Sequence, residues 1–228
     1  MEPAGVQTLF AQAGGTFCVP AVSILQKLQT VKAFVFDWDG VFNDGSKHNQ
    51  QGSRFSEPDA MGTNMLRFSF WLKNQALPLT AIITGEENEA ARFLAQREHF
   101  TSLYFKASNK IKSFEHFLAN HHLKATEVAF VYDDVLDLSV AAKCGVRINA
   151  HRSGNPMFTE YLKENYLVDY MTSQPGGKQA VREACELMIS LQGNYGEAIT
   201  HRMNFSDTYQ NYLAQRQQVE MKLWVGIS

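Results

Sequence analysis

The feature that most constrains this chain is a series of short apolar runs that end on residues able to do chemistry. Val31-Lys-Ala-Phe-Val-Phe36 leads straight into Asp37. Leu79–Thr84 leads into Gly85, Ser102–Phe105 is followed closely by Lys110, and Val128–Tyr132 leads into Asp133. Val146–Asn149 and Val168–Met171 have the same character. Runs of this length, rich in β-branched and aromatic residues, read as buried strands. Helical patterns lie between them. Residues 59–75 carry Met61, Met65, Phe68 and Leu72 at helical spacing. Glu86–Arg97 is acidic at its start and basic at its end, as the helix dipole favours. Ser108 reads as a cap for a helix running to His121, residues 134–143 stop at Gly145, and 177–191 place Val181, Ala184, Cys185, Met188 and Leu191 on one face. Strands alternating with helices predict an α/β fold, a doubly wound and mostly parallel sheet of Rossmann type. One insertion, Ser46–Glu57, is polar, contains Gln51-Gly52 and reads as a small β-hairpin.

At 228 residues the chain has room for one such domain with appendages. The reading divides it into an extension at 1–30 with a short helix at Val22–Leu28, the domain at 31–192, and a helical tail at 193–228. In the tail the chain is expected to loosen at Asn194–Ala198. A helix should then start at Ser206-Asp207 and carry Tyr209, Tyr212, Leu213 and Val219. One helix with an aromatic stripe must pack on something, either its own domain or a neighbouring subunit. With 21 basic and 23 acidic residues the net charge is -2, which gives no electrostatic reason for a nucleic acid or an anionic membrane as partner. No apolar run approaches the roughly 18 residues that span a bilayer. Met1–Val19 lacks the pattern of a signal peptide. Cys18, Cys144 and Cys185 are scattered and odd in number, which fits a reducing cytoplasm and no disulfide framework.

Open parallel sheets gather their sites at the carboxyl ends of the strands. Here those ends offer Asp37 and Asp39, Thr84 and Gly85, Lys110 at a helix start, and Asp133, Asp134 and Asp137. Each taken singly is a common turn, cap or surface residue; together, in this order, they form a set suited to phosphoryl transfer. Clustered carboxylates cannot all stay ionised without a cation. Oxygen ligands alone favour a hard ion, Mg²⁺ first. A carboxylate held beside that ion can attack phosphorus, and a second one two residues on can shuttle the proton. Lys110 and the Thr84 hydroxyl are then placed to hold phosphoryl oxygens.

Five segments, taken together, resemble the haloacid dehalogenase superfamily, and within it the minimal-cap phosphatases of 3-deoxy-D-manno-octulosonate (KDO) 8-phosphate. They are Asp37-Trp-Asp-Gly-Val-Phe-Asn-Asp-Gly45, Asp59-Ala-Met-Gly62, Ile82-Ile-Thr-Gly85, Asp133-Asp-Val-Leu-Asp137 and Gly176-Gly-Lys-Gln-Ala-Val-Arg-Glu183. The resemblance covers roughly 31–192. It implies Asp37 as nucleophile and metal ligand, and Asp39 as acid/base with its backbone carbonyl on the metal. It implies Asp133 as third ligand, Thr84, Gly85 and Lys110 around the phosphate, and Asp134 and Asp137 in support of the metal. It also implies a homotetramer in which hairpins pack together and neighbours close each site. Five positions depart from the family pattern. Glu86 stands where the family has an arginine that can grip a substrate carboxylate; Pro58, Ala60, Tyr132 and Lys178 replace an arginine, two glycines and an arginine. The substrate expected is thus a small phosphate ester, a sugar or sugar-acid phosphate, and not KDO 8-phosphate itself. Two rivals stand beside this reading. One is a weakly active or inactive binding protein on the same fold, motivated by the bulk of Tyr132 beside the acids. The other, a sugar-phosphate mutase, is disfavoured by the short insertion where mutases carry a larger cap.

Overall fold

A computed structural model describes residues 1–47 and 53–227. In chain order the elements are α1 (Pro3–Gln12), β1 (Thr16–Phe17), α2 (Ala21–Leu28), β2 (Ala33–Phe36), α3 (Glu57–Asn74) and β3 (Leu79–Ile83). Then come α4 (Glu89–Arg97), β4 (Ser102–Phe105), α5 (Lys110–His121), β5 (Val128–Tyr132), α6 (Leu138–Ala141) and β6 (Val146–Asn149). The last are α7 (Pro156–Glu164), β7 (Tyr170–Met171), α8 (Ala180–Gln192), α9 (Tyr195–Met203), α10 (Asp207–Arg216) and β8 (Lys222–Val225). The strands form one sheet in the order β1-β7-β6-β5-β2-β3-β4-β8. Every pairing is parallel except the short edge pair β1–β7. This is the doubly wound sheet expected.

Because side chains alternate along a strand, β2 feeds two cores. Phe34 and Phe36 enter the layer that also receives α1, α2, α3, α8 and α10; Ala33 and Val35 enter the layer of α5, α6 and α7. The chain runs outward from β2 through β3 to β4, then returns to lay β5 on the other side of β2. The order therefore reverses between β2 and β5, and a crevice opens at their carboxyl ends. Asp37 and Asp133 are the residues that follow these two strands.

Several boundaries follow local chemistry. Ser56 caps α3 by accepting from the Asp59 amide at 3.2 Å. Asn88 caps α4, so that helix begins at Glu89, later than the expected Glu86. Asn109, with no side-chain cap bond, stands where Ser108 was expected, which puts Lys110 at the first helical position of α5. Buried Asp59 ties α3 to α8, accepting from the Ser56 hydroxyl and from the Arg182 amide.

Three expectations change. Residues 1–30 carry two helices and a strand where one short helix was read, and Val6 and Phe10 of α1 enter the core. Asn194–Ala198 does not loosen: α9 starts at Tyr195 despite Gly196, with Ala198 buried in the core. The end of the tail, read as helical, is the strand β8 beside β4. Residues 48–52 of the hairpin expected at Ser46–Glu57 lie outside the described residues. On either side of them the Ser53 hydroxyl donates to the Ser46 carbonyl at 3.2 Å, and Glu57 already belongs to α3.

Candidate active site

The segment 37–45 turns away from β2 in a tight loop organised by Asn43. Its side-chain oxygen accepts from the amides of Gly40 and Gly45 at 3.3 and 2.8 Å, and its amide donates to the Trp38 carbonyl at 3.1 Å. Gly40 and Gly45 both have positive φ, +85° and +78°, a region costly for residues with a Cβ. Gly176 presses on this loop from the other side, where any Cβ would overlap the Gly40 carbonyl.

Asp37 emerges at the base of the crevice, buried, beside Asp133 and Asp137. One carboxylate oxygen of each lies within 4.8 Å of the others, all three residues buried. Lys110 reaches into the cluster from α5, donating from Nζ to Asp37 Oδ1 and to Asp137 Oδ1, each at 2.6 Å. The other oxygen of Asp137 accepts from the Asp134 amide at 3.3 Å. Asn149, at the end of β6, donates to the Asp133 carbonyl at 3.1 Å and steadies the loop that carries it. On the open side, Arg152 Nη2 lies 2.5 Å from Asp133 Oδ2.

Burial pushes Asp133 well above the usual carboxylate range, and the Asp37 and Asp137 carboxylates push it further, against the opposing pull of Arg152. Burial and Asp37 likewise raise Asp137, with Lys110 opposing. Burial alone would lower Lys110, but Asp37 and Asp137 outweigh it and hold the ammonium charged. Three buried acids against one buried lysine leave negative charge uncompensated, and an oxygen-only donor set of this kind fits a hard divalent cation.

The other residues singled out from sequence take distinct places. Asp39 does not join the acid cluster. Its side chain is partly exposed and accepts from Ser53 Oγ at 2.7 Å and Lys47 Nζ at 2.6 Å. Thr84 is buried at the end of β3, its hydroxyl oxygen accepting weakly from the Glu86 amide at 3.4 Å. Gly85 beside it is exposed with open space around it. Asp134 is exposed and accepts from the Val135 amide at 2.7 Å. Tyr132, a source of concern for crowding, is fully buried, and both its burial and nearby Asp137 raise its phenol above the usual range. Its ring stacks on Phe130 in the core layer of α5, α6 and α7, and its hydroxyl donates to the Leu167 carbonyl at 2.9 Å.

Asn43, Asn149 and Arg152 were not anticipated. The last two carry the same signal as the acids, standing at and just after the carboxyl end of β6. Asn43 gives no such signal, because an asparagine in a loop becomes an organiser only once its neighbours are placed.

No protein-family model matches the chain. The KDO 8-phosphate phosphatase KdsC of Escherichia coli K12 is 28% identical over 182 residues, 78% of this chain and 89% of its own. Among solved structures, a chain of Legionella pneumophila assigned to subfamily III A of the haloacid dehalogenase hydrolases is 26% identical with a TM-score of 0.67. The match covers 80% of this chain and 95% of that one. The KDO 8-phosphate phosphatase of Moraxella catarrhalis, in complex with magnesium, phosphate and KDO, is 25% identical with a TM-score of 0.63. It covers 78% of this chain and 96% of that one. These similarities bear out the resemblance read from the sequence, and relatives named as phosphatases bear out the class of enzyme.

Proposed function

We propose that this chain is a Mg²⁺-dependent phosphatase that hydrolyses a small phosphate monoester, a sugar or sugar-acid phosphate, through an aspartyl-phosphate on Asp37. The observation that carries this reading is the Asp37–Lys110–Asp137 bridge with Asp133 beside it. A buried ammonium shared by two carboxylates fixes the Asp37 side chain at the base of the crevice, where a nucleophile must stand. The Moraxella relative, with its magnesium and phosphate, supports the ion and the substrate class.

Asp37, Asp133 and, through its backbone carbonyl, Asp39 would hold the cation, with Asp134 and Asp137 in support. The ion would supply charge neutralisation for the phosphoryl oxygens. A carboxylate oxygen of Asp37 attacks phosphorus. The bond to the ester oxygen breaks, its electron pair stays on that oxygen, and Asp39 delivers the proton that completes the alcohol. Asp39, now a carboxylate, takes a proton from water as that water attacks phosphorus, and Asp37 leaves with the electron pair of its bond. Lys110 and the Thr84–Gly85 turn bind the phosphoryl oxygens throughout. The partial exposure of Asp39 suits a group that exchanges protons with substrate and water, whereas buried Asp37 suits a nucleophile kept from water. The same reading makes the working form a cytoplasmic homotetramer, and light scattering showing a monomer would overturn that part.

The test is an assay of phosphorylated sugars and sugar acids with Mg²⁺, joined to acid quenching in the first turnover. Turnover that stops in EDTA, with phosphate trapped on Asp37, is expected. Full activity in chelator, or an Asp37→Asn variant as active as the wild type, would reject the mechanism.

A further inference from the structure

Among the described residues Arg152 pairs with Asp133, and the loop at 37–45 leaves room for that contact. A Cβ at position 40 would overlap both Arg152 Nη2 and Asp133 Oδ2. A Cβ at position 45 would lie 3.3 Å from Nη2, 3.8 Å from Nη1 and 3.9 Å from Cζ. The guanidinium therefore lies against two bare glycines of one loop, both in the left-handed region, with Asn43 fixing both amides. Its side chain keeps 36% of its surface exposed, while that of Asp133 keeps 4%. The arginine can leave toward solvent, and the carboxylate cannot follow it.

We infer that Arg152 is a built-in competitor for the cation site: its guanidinium and a divalent cation compensate Asp133 by turns, so that loading the cation releases Arg152 from the glycine berth. The inference rests on the phosphatase reading only in taking Asp133 as a cation ligand. A guanidinium is less strongly hydrated than an ammonium, so it enters a half-open berth at modest desolvation cost and can return to water from it. A buried ionised carboxylate left with no counter-charge would be far more costly, so the ionised form of Asp133 calls for one partner or the other. Exchange between two cations keeps the charge at Asp133 balanced, and it weakens the apparent affinity for the ion by the strength of the pair it displaces.

Isothermal titration of the full chain with MgCl₂, without substrate, reads this directly. Arg152→Gln should bind Mg²⁺ about tenfold more tightly than the wild type, and Arg152→Lys should fall between them. Lys106→Gln serves as the control for the general field. Lys106 is an exposed residue that follows β4, outside the proposed catalytic groups, and it is paired with Glu87; its removal should leave affinity within twofold. Circular dichroism melts confirm that each variant is folded. Wild-type affinity in Arg152→Gln, or an equal gain in Lys106→Gln, would overturn the competition. If neither the wild type nor Arg152→Gln binds Mg²⁺, the metal reading of the acid cluster falls with it, an outcome distinct from the first.

Discussion

The crevice between β2 and β5 and the surface where the tail meets α3 are both buried, yet they are held by opposite physics. In the crevice, Asp37, Asp133 and Asp137 crowd around a single buried lysine, and burial opposes the ionised form of each perturbed acid. At the tail, Tyr209 and Tyr212 close on Phe68 with ring centroids 4.9 and 5.1 Å apart, and Tyr212 also meets Trp71. Both hydroxyls are satisfied, on the side-chain oxygen and the carbonyl of Asn64. The Trp71 ring nitrogen donates to Gln215, Arg216 pairs with Glu98, and β8 extends the sheet beside β4. The first region concentrates charges that burial opposes; the second supplies packing and hydrogen bonds that offset them. Such a division is expected where a site holds like charges in a low-dielectric pocket.

The comparison breaks most sharply at Asp37. Asp37→Asn should reduce turnover by roughly 10⁴-fold or more, since an amide cannot carry the covalent step. Its melting temperature should not fall, because a repelling charge has been removed. A variant that loses stability along with activity would blur the two regions, and differential scanning calorimetry beside the assay separates the outcomes. The tail gives the mirror image. Tyr212 is fully buried, so Tyr212→Ala should cost about 3–5 kcal/mol. Activity per folded molecule should survive. Urea titration measures the first, and initial rates well below the transition measure the second. A loss below 1 kcal/mol would mean that the aromatic cluster is not the tail's anchor.

Asp133→Asn sharpens the contrast, because the two effects should have opposite signs. Mg²⁺ affinity should fall steeply, while stability in EDTA should rise by about 1 kcal/mol, a few degrees in Tm. The pH dependence carries its own sign. The folded-state pKa of Asp133 is raised above the unfolded value by burial and by Asp37 and Asp137. Below the ordinary carboxylate range both states are protonated, and the group is stabilising relative to neutral pH. As pH rises from that range toward the raised value, the unfolded chain loses its proton first and stability declines. The gain of the variant in EDTA should therefore be larger at pH 7 than at pH 4. A gain that shrinks between pH 4 and pH 7 would show that Asp133 is not held above its usual range.

These two regions also differ in how much could be read from sequence. The five central strands were legible because fully buried parallel strands are continuous apolar runs, and Ser102–Phe105, Val128–Tyr132 and Val146–Asn149 fall where they were read. The acids were legible because Asp37, Asp133 and Asp137 follow strands, where polar residues are conspicuous against the runs. Asp39 shows the limit. Its spacing from Asp37 is plain, but that it turns out to Lys47 and Ser53 depends on a loop whose path Asn43 sets. At the tail, Ser206 was legible as a cap and Tyr209 and Tyr212 as a stripe, since both are local patterns. The strand β8 was not. Lys222–Val225 alternates little in burial, and it is a strand because the edge of β4 offers unpaired backbone groups, a tertiary fact. Helix α9 was missed for a similar reason: Gly193 and Gly196 suggested a break, while burial of Ala198 and the side chain of Asn194 bonded to Ser69 hold the helix in place.

The smallest expected effect concerns Glu86, an exposed acid two residues past buried Thr84. It is the one exposed departure from the family pattern that both follows a strand of the crevice and reverses a charge. A leaving group that carries a carboxylate meets repulsion there where an arginine would attract it. Because the position faces solvent, screening limits the effect to about 1–1.5 kcal/mol, or roughly five- to tenfold in kcat/KM. Glu86→Arg should thus raise kcat/KM for KDO 8-phosphate by that factor, mostly through KM, since the charge acts on ground state and transition state alike. The same variant should leave a neutral sugar phosphate within twofold, and the gain should shrink at high salt. Equal effects on both substrates would show that Glu86 acts through the fold of the Thr84–Gly85 turn and not through charge. Efficient hydrolysis of KDO 8-phosphate by the wild type would show that the acid at this position does not exclude that substrate.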